Sequence, residues 1–238
     1  MKTYLYEGSE RDIQYFIDTL EFSSGRVKKT FAMICSDKIG EKILDIGCNW
    51  GHVSILLWEK GYDVMGRDIF KAKIEIAKDL KKELGIKSDR LQFRQMDFLK
   101  SDFEDDLFDC VLFLETIEHV ESPVAFLNEC RRVLKPGGYL LISTPNAINT
   151  HHILKQLYPK FKKLFEIIEN EPINTGTHMD HIFAWDIFTF YRLLNRTGFK
   201  YVEHKFAGLE IPVLGRIPFQ IPMLSKFSRT MILNVQKL

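Results

Sequence analysis

No uninterrupted apolar run in this chain approaches the roughly 20 residues that carry a helix across a bilayer. The N-terminal stretch MKTYLYEGSERD also lacks the apolar core of a secretory leader. Cysteine is scarce, four in 238 residues (Cys35, Cys48, Cys110, Cys130), and no two form a CxxC pair. The expectation is reduced thiols in a cytoplasmic protein. Net charge is almost absent as well, with 33 Lys and Arg against 32 Asp and Glu. Without a global positive field, nucleic acid is not expected as a partner.

What remains is an ordinary globular balance, 45% hydrophobic and 27% charged, enough for one substantial core. A single domain over 1–238 is therefore expected, in three parts: an N-terminal helical cap (1–38), a central half (39–147) and a C-terminal half (148–238). Apolar positions at helical spacing in 12–38, split by Ser23-Ser24-Gly25, predict two short helices. From residue 42 the runs KILDIG, YDVMGRD, LQFRQMD, FDCVLFLE and GYLLIST alternate with helical periodicity, the pattern of βαβ units around a parallel sheet. Ile74, Ala77, Leu80 and Leu84 share one helix face that ends at Gly85, and Ser122-Pro123 opens another helix that stops at Lys135-Pro136-Gly137. Residues 150–170 and WDIFTFYRLLNRTG read as further helices, FKYVEHKF and RTMILNVQKL as two last strands in an antiparallel edge.

The chemistry centres on ILDIGCNWGH, residues 43–52, an apolar strand that enters a turn bracketed by Gly47 and Gly51, with Asp45 just before it. A strand, glycine turn and helix in this order present backbone N–H groups to a negatively charged ligand. Dinucleotide sites need GxGxxG and phosphate loops need GxxxxGK[ST]; Gly47-x-x-x-Gly51 followed by His52 meets neither. Asp68 and Asp97 close the next two strands, where open α/β sheets bind ligands. Singly each acid has a plainer use, as a turn cap, a helix N-cap or a loop carboxylate.

The stretch resembles motif I of the class I S-adenosylmethionine-dependent methyltransferases, (V/I)LD(I/V)GCGxG. Asp45, Gly47, Cys48 and Gly51 match, and Asn49 replaces the middle glycine. If that position needs a positive φ, asparagine is the side chain that tolerates the left-handed region best after glycine. The resemblance extends in order through Asp68, Asp97, FDCVLFLETIEHV and VLKPGGYLLISTPN, about residues 41–147, with HMDHIFAWDIFTFYRLLNRTGF similar to the family's tail.

It implies a Rossmann-like α/β fold: a seven-stranded, mostly parallel sheet with one antiparallel strand, helices on both faces, N-terminal helices and a helical insertion before the last helix. It implies S-adenosylmethionine as cofactor and S-adenosylhomocysteine as product, held by Asp45, Gly47, Cys48, Asn49 and Gly51, by Asp68 and Ile69 at the ribose, by Met96, Asp97 and Phe98 at the adenine, and by Leu114 and Glu115. The pattern ExxEH (Glu115, Glu118, His119) is similar to that of ubiquinone-biosynthesis O-methyltransferases, in some of which these three residues bind a divalent cation. The plainer reading makes Glu118 and His119 rim hydrogen-bonders without a metal. His119, Glu118, His178 and His181 are the candidates for the acid/base role, because a base must stand within hydrogen-bond reach of the acceptor proton.

The expected activity is methyl transfer to a small-molecule acceptor, an O-methylation. RNA or protein methylation is the alternative, disfavoured by LETI where enzymes acting on exocyclic amino groups carry (N/D)PP(Y/F); a non-catalytic cofactor-binding partner is a third. Trp50 either covers the cofactor or packs on the N-terminal helices, and packing is favoured. The apolar, proline-punctuated stretch 206–228 reads equally as a lid or surface for a lipid-like or membrane-bound substrate and as cover for the sheet edge. From Lys200 to Leu238 six Lys/Arg stand against two Glu, which suits an anionic group there.

Overall fold

In the computed structural model the residues described are 3–6, 9–20, 25–36, 39–149, 181–211, 215–216 and 225–238. The five apolar runs of the central half become β3 (Lys42–Ile46), β4 (Asp63–Asp68), β5 (Leu91–Gln95), β6 (Phe108–Leu114) and β7 (Leu134–Pro145), all parallel. Between them lie α3 (His52–Glu59), α4 (Lys71–Glu83) and α5 (Pro123–Val133). After α6 (Ile187–Arg196) come β8 (Phe199–Ala207), a two-residue pair β9 (Glu210–Ile211) and β10 (Gly215–Arg216), and β11 (Thr230–Lys237). The seven-stranded sheet runs β5-β4-β3-β6-β7-β11-β8, with β11 antiparallel to both neighbours, as the family resemblance implies.

Strands buried on both faces need apolar cover on both. On one face α1 (Ile13–Leu20), α2 (Gly25–Ser36), α3 and α4 pack Phe16, Met33, Ile55, Ile74 and Leu80 against Ile43, Val64 and Leu112. On the other, α5 and α6 pack Leu127, Cys130, Phe190 and Leu194 against Leu44, Phe113 and Ile142. The helix ends follow the expected chemistry at Gly85 (φ 68°) and Gly198 (φ 88°). Ser122 stands at the start of α5 without a side-chain cap bond, and Asp186 instead caps α6, accepting from the N–H groups of Phe188 and Thr189.

The N-terminal part is not purely helical. Thr3–Tyr6 (β1) and Ser9–Asp12 (β2) form an antiparallel hairpin ahead of α1. Strands of four residues are too short for periodicity to reveal, and this pair is fastened from outside: Tyr4 Oη donates to Asp79 Oδ2 on α4 at 2.6 Å. The helix expected over 150–170, His151, His152 and His178, and residues 212–214 and 217–224 of the apolar stretch 206–228 lie outside the described residues. No helix among the described residues is long and apolar enough to cross a membrane.

Candidate functional site

The loop after β3 is built for a tight return. Gly47 (φ 70°), Asn49 (φ 54°) and Gly51 (φ 85°) all take left-handed backbone, so asparagine does adopt the conformation of the replaced glycine. The amides of Gly47 and Cys48 both donate to Arg67 O, at 2.8 and 3.0 Å, and Asn49 N donates to Asp68 Oδ2 at 2.9 Å. The loop is thus hung from the carboxyl end of β4. Phe70 N donates to the other Asp68 oxygen, also at 2.9 Å. Asp68 is only 6% exposed, and the neighbouring Ile69 is 57% exposed.

Two of the motif glycines are dictated by neighbours as well as by φ. A Cβ on Gly51 would lie 2.6 Å from Phe93 Cζ, and one on Gly47 would collide with Thr116 Oγ1. Gly51→Ala combines a left-handed alanine with overpacking, and an order-of-magnitude loss of about 3 kcal/mol is expected, seen as a fall in the thermal midpoint of about 6–12 °C. A midpoint within 2 °C of wild type would refute it.

Asp45 sits beneath the turn at 3% exposure, and Ser54 Oγ of α3 donates to its Oδ2 at 2.6 Å. Burial pushes its carboxyl up to about 6; the Ser54 hydrogen bond opposes the shift and the Asp68 charge adds to it. Burial likewise drives the Cys48 thiol well above its usual range, which makes it a packing residue and not a nucleophile. Trp50 packs on Phe16 of α1 at 5.3 Å between ring centroids, and His52 stacks on it at 4.9 Å. Trp50 is 8% exposed and packs on the N-terminal helix, the favoured arrangement.

At the end of β5, Met96 N donates to Asp68 O, and Asp97 caps a short 3-10 turn, Phe98–Lys100, by accepting from Leu99 N. Asp97 also pairs with Lys100 at 3.1 Å. Phe98, expected beside the adenine, turns into the core and meets Phe126.

The rim after β6 holds the remaining candidates. Glu118 and His119 lie on a 3-10 turn, Ile117–His119, and residues 181–185 run alongside, because Ile182 N donates to Glu118 O at 2.8 Å and Ala147 N to Trp185 O. His119 and His181 meet edge to face at 4.8 Å, and His181 Nε2 stands 3.9 Å from Glu118 Oε1. One potential ligand atom from each of Glu118, His119 and His181 lies within 4.8 Å of the other two. Glu115, expected as the third member, is not in this group: its Oε1 accepts from Ser143 Oγ at 2.9 Å. The place it vacates is filled by His181, which sequence spacing alone does not bring near.

A family model described as a methyltransferase domain matches residues 44–142. The ubiquinone biosynthesis O-methyltransferase of Histophilus somni is 32% identical over 145 residues, 54% of this chain and 61% of that protein. The one of Rickettsia canadensis is 32% identical over 164 residues, 69% of this chain and 64% of that protein. The chain thus spans less than two thirds of the length of these relatives. Among solved structures, a magnesium protoporphyrin IX methyltransferase from Synechocystis with bound SAH superposes with a TM-score of 0.66 at 18% identity, covering 98% of this chain and 90% of its own. A [4+2]-cyclase superposes at 0.59 with 17% identity, over 83% and 76%. At such identities both likenesses concern the fold alone.

Proposed function

From the match of residues 44–142 to a methyltransferase domain, we propose that this chain is a class I S-adenosylmethionine-dependent methyltransferase that methylates a hydroxyl oxygen of a small molecule. The observation that carries this reading is the meeting of two histidines, His119 and His181, at a rim whose Thr116 lies directly against the cofactor-loop residue Gly47. Asp68 and Asp97, at the ends of adjacent strands, suit the ribose diol and the adenine amino group, since carboxylates accept such donors side by side. S-adenosylmethionine supplies a sulfonium-bound methyl group already activated for displacement. The chain's own task is alignment and removal of one proton. His119 is the base in this reading. Glu118 is fully buried and therefore orients the neighbouring imidazoles instead of touching the acceptor.

The O-methyltransferase names of the curated relatives support a hydroxyl acceptor. Methyl-labelled S-adenosylmethionine offered with quinols, phenols and sugars tests it: label is expected on a hydroxyl of one class, and His119→Ala should lower that rate by about 100-fold. Label appearing only in RNA or protein would overturn the small-molecule reading.

A second reading of the same rim is a divalent cation on Glu118, His119 and His181. One carboxylate and two imidazoles suit zinc or manganese, and His181 Nε2 stands 3.9 Å from Glu118 Oε1. Such a cation would lower the pKa of an acceptor hydroxyl. Elemental analysis and rates in chelator decide: full activity in a metal-free sample removes the cation.

A further inference from the structure

We propose that Glu115 is a positioning residue of the cofactor site, acting through Ser143 and not by direct contact with cofactor, acceptor or metal. The inference rests on the reading of the loop after β3 as an S-adenosylmethionine site.

Glu115 is one of three non-glycine residues among those described that have positive φ, at 48°. Unlike Asn49, a glutamate has no short side chain to settle that conformation, so the surroundings must impose it. Ser143 supplies part of that constraint. Leu114 pairs with Ser143 in the parallel ladder of β6 and β7, and the next amide, Glu115 N, donates to Ser143 O at 2.9 Å and faces Ser143 Oγ at 3.2 Å. Ser143 Oγ in turn donates to Glu115 Oε1 at 2.9 Å. A hydroxyl bonded to a carboxylate is charge-assisted, stronger than a neutral pair, and Ser143 is itself fully buried.

The left-handed turn then decides where the chain goes next. Thr116, its Oγ1 tied back to Leu114 O at 3.0 Å, comes to lie against the Cα of Gly47, so closely that no side chain fits between them. His119 N donates to Thr116 O, which continues the same turn into the rim. The clamp therefore sets one wall of the loop through Thr116 and the start of the histidine-bearing turn together. This role explains why Glu115 is absent from the Glu118, His119 and His181 group although its sequence pattern points there.

The test is calorimetric titration with S-adenosylhomocysteine, which needs no knowledge of the acceptor. Ser143→Ala and Glu115→Ala are each expected to weaken binding about tenfold. Glu115→Gln, whose amide oxygen still accepts from Ser143, should stay within twofold of wild type. The double variant Glu115→Ala, Ser143→Ala should bind no more weakly than either single one, because both remove the same bond. Direct contact between Glu115 and the cofactor predicts the reverse, with Glu115→Gln impaired and Ser143→Ala unaffected, and that outcome overturns the proposal. Equal affinity for wild type and all variants overturns it too. Failure of wild type itself to bind would instead refute the function proposed above, and the positioning role with it. Ser143→Ala, a small change in a fully paired strand, keeps the test informative where Glu115→Ala unfolds.

Discussion

Asp68→Ala is expected to weaken S-adenosylmethionine binding by at least about 100-fold. A carboxylate accepting from two ribose hydroxyls makes two charge-assisted hydrogen bonds, each worth about 1.5–3 kcal/mol, and each 1.4 kcal/mol is a factor of ten. The residue is also a strut, since its two oxygens take the amides of Asn49 and Phe70. Alanine leaves both amides without that acceptor and loosens the loop that hangs from β4. Asp68→Asn separates the contributions: its one carbonyl oxygen still serves a backbone amide, so the thermal midpoint should be largely kept while affinity falls. Isothermal titration of both variants beside thermal unfolding checks this, and undiminished binding by Asp68→Ala would sink the ribose role.

Asp45→Asn is expected to make the protein more stable and a poorer binder. Burial raises the native carboxyl from 3.8 to about 6, so the folded state holds the proton more tightly than the unfolded chain does. The contribution of this group to stability is therefore fully present below about 3.8 and is lost as pH rises through about 6. Ionising this buried group costs about 3 kcal/mol of stability at neutral pH, an order-of-magnitude figure. Asparagine accepts the Ser54 hydrogen bond without that cost, and the midpoint at pH 7 should rise by about 6–12 °C. At pH 4 the advantage should vanish. Cofactor affinity should move the other way, because the sulfonium and ammonium charges of S-adenosylmethionine favour an ionised Asp45, and wild-type affinity should fall as pH drops below about 6. Unfolding curves from pH 4 to 8 that show equal stabilities for wild type and variant throughout would refute this account.

The two aspartates share a history of legibility. Each closes an apolar run, and local alternation of runs and helical periods was enough to put them at the carboxyl ends of β3 and β4. Asn49 was legible for the same reason, since tolerance of positive φ belongs to a single side chain. Trp50 was legible to the level of the element: packing on the N-terminal helices was favoured from its type, and only the individual partner, Phe16 of α1, needed the structure. The N-terminal hairpin escaped because it is held by Tyr4 reaching Asp79, a contact that no window along the chain contains.

The rim shows where such reading stops. The resemblance of ExxEH to the ubiquinone-biosynthesis O-methyltransferases implied Glu115, Glu118 and His119 as one set. A left-handed residue at 115 breaks that set, since it sends the glutamate to Ser143 and leaves its place to His181 from a segment bound to Glu118 O. The sequence by itself determined the order of the βα units, the glycine turn and the acids that line it, because each depends on periodicity or on the conformational freedom of one residue. Only the tertiary structure decided which side chains meet beyond β6, because those meetings depend on one backbone angle and on the pairing of segments distant along the chain.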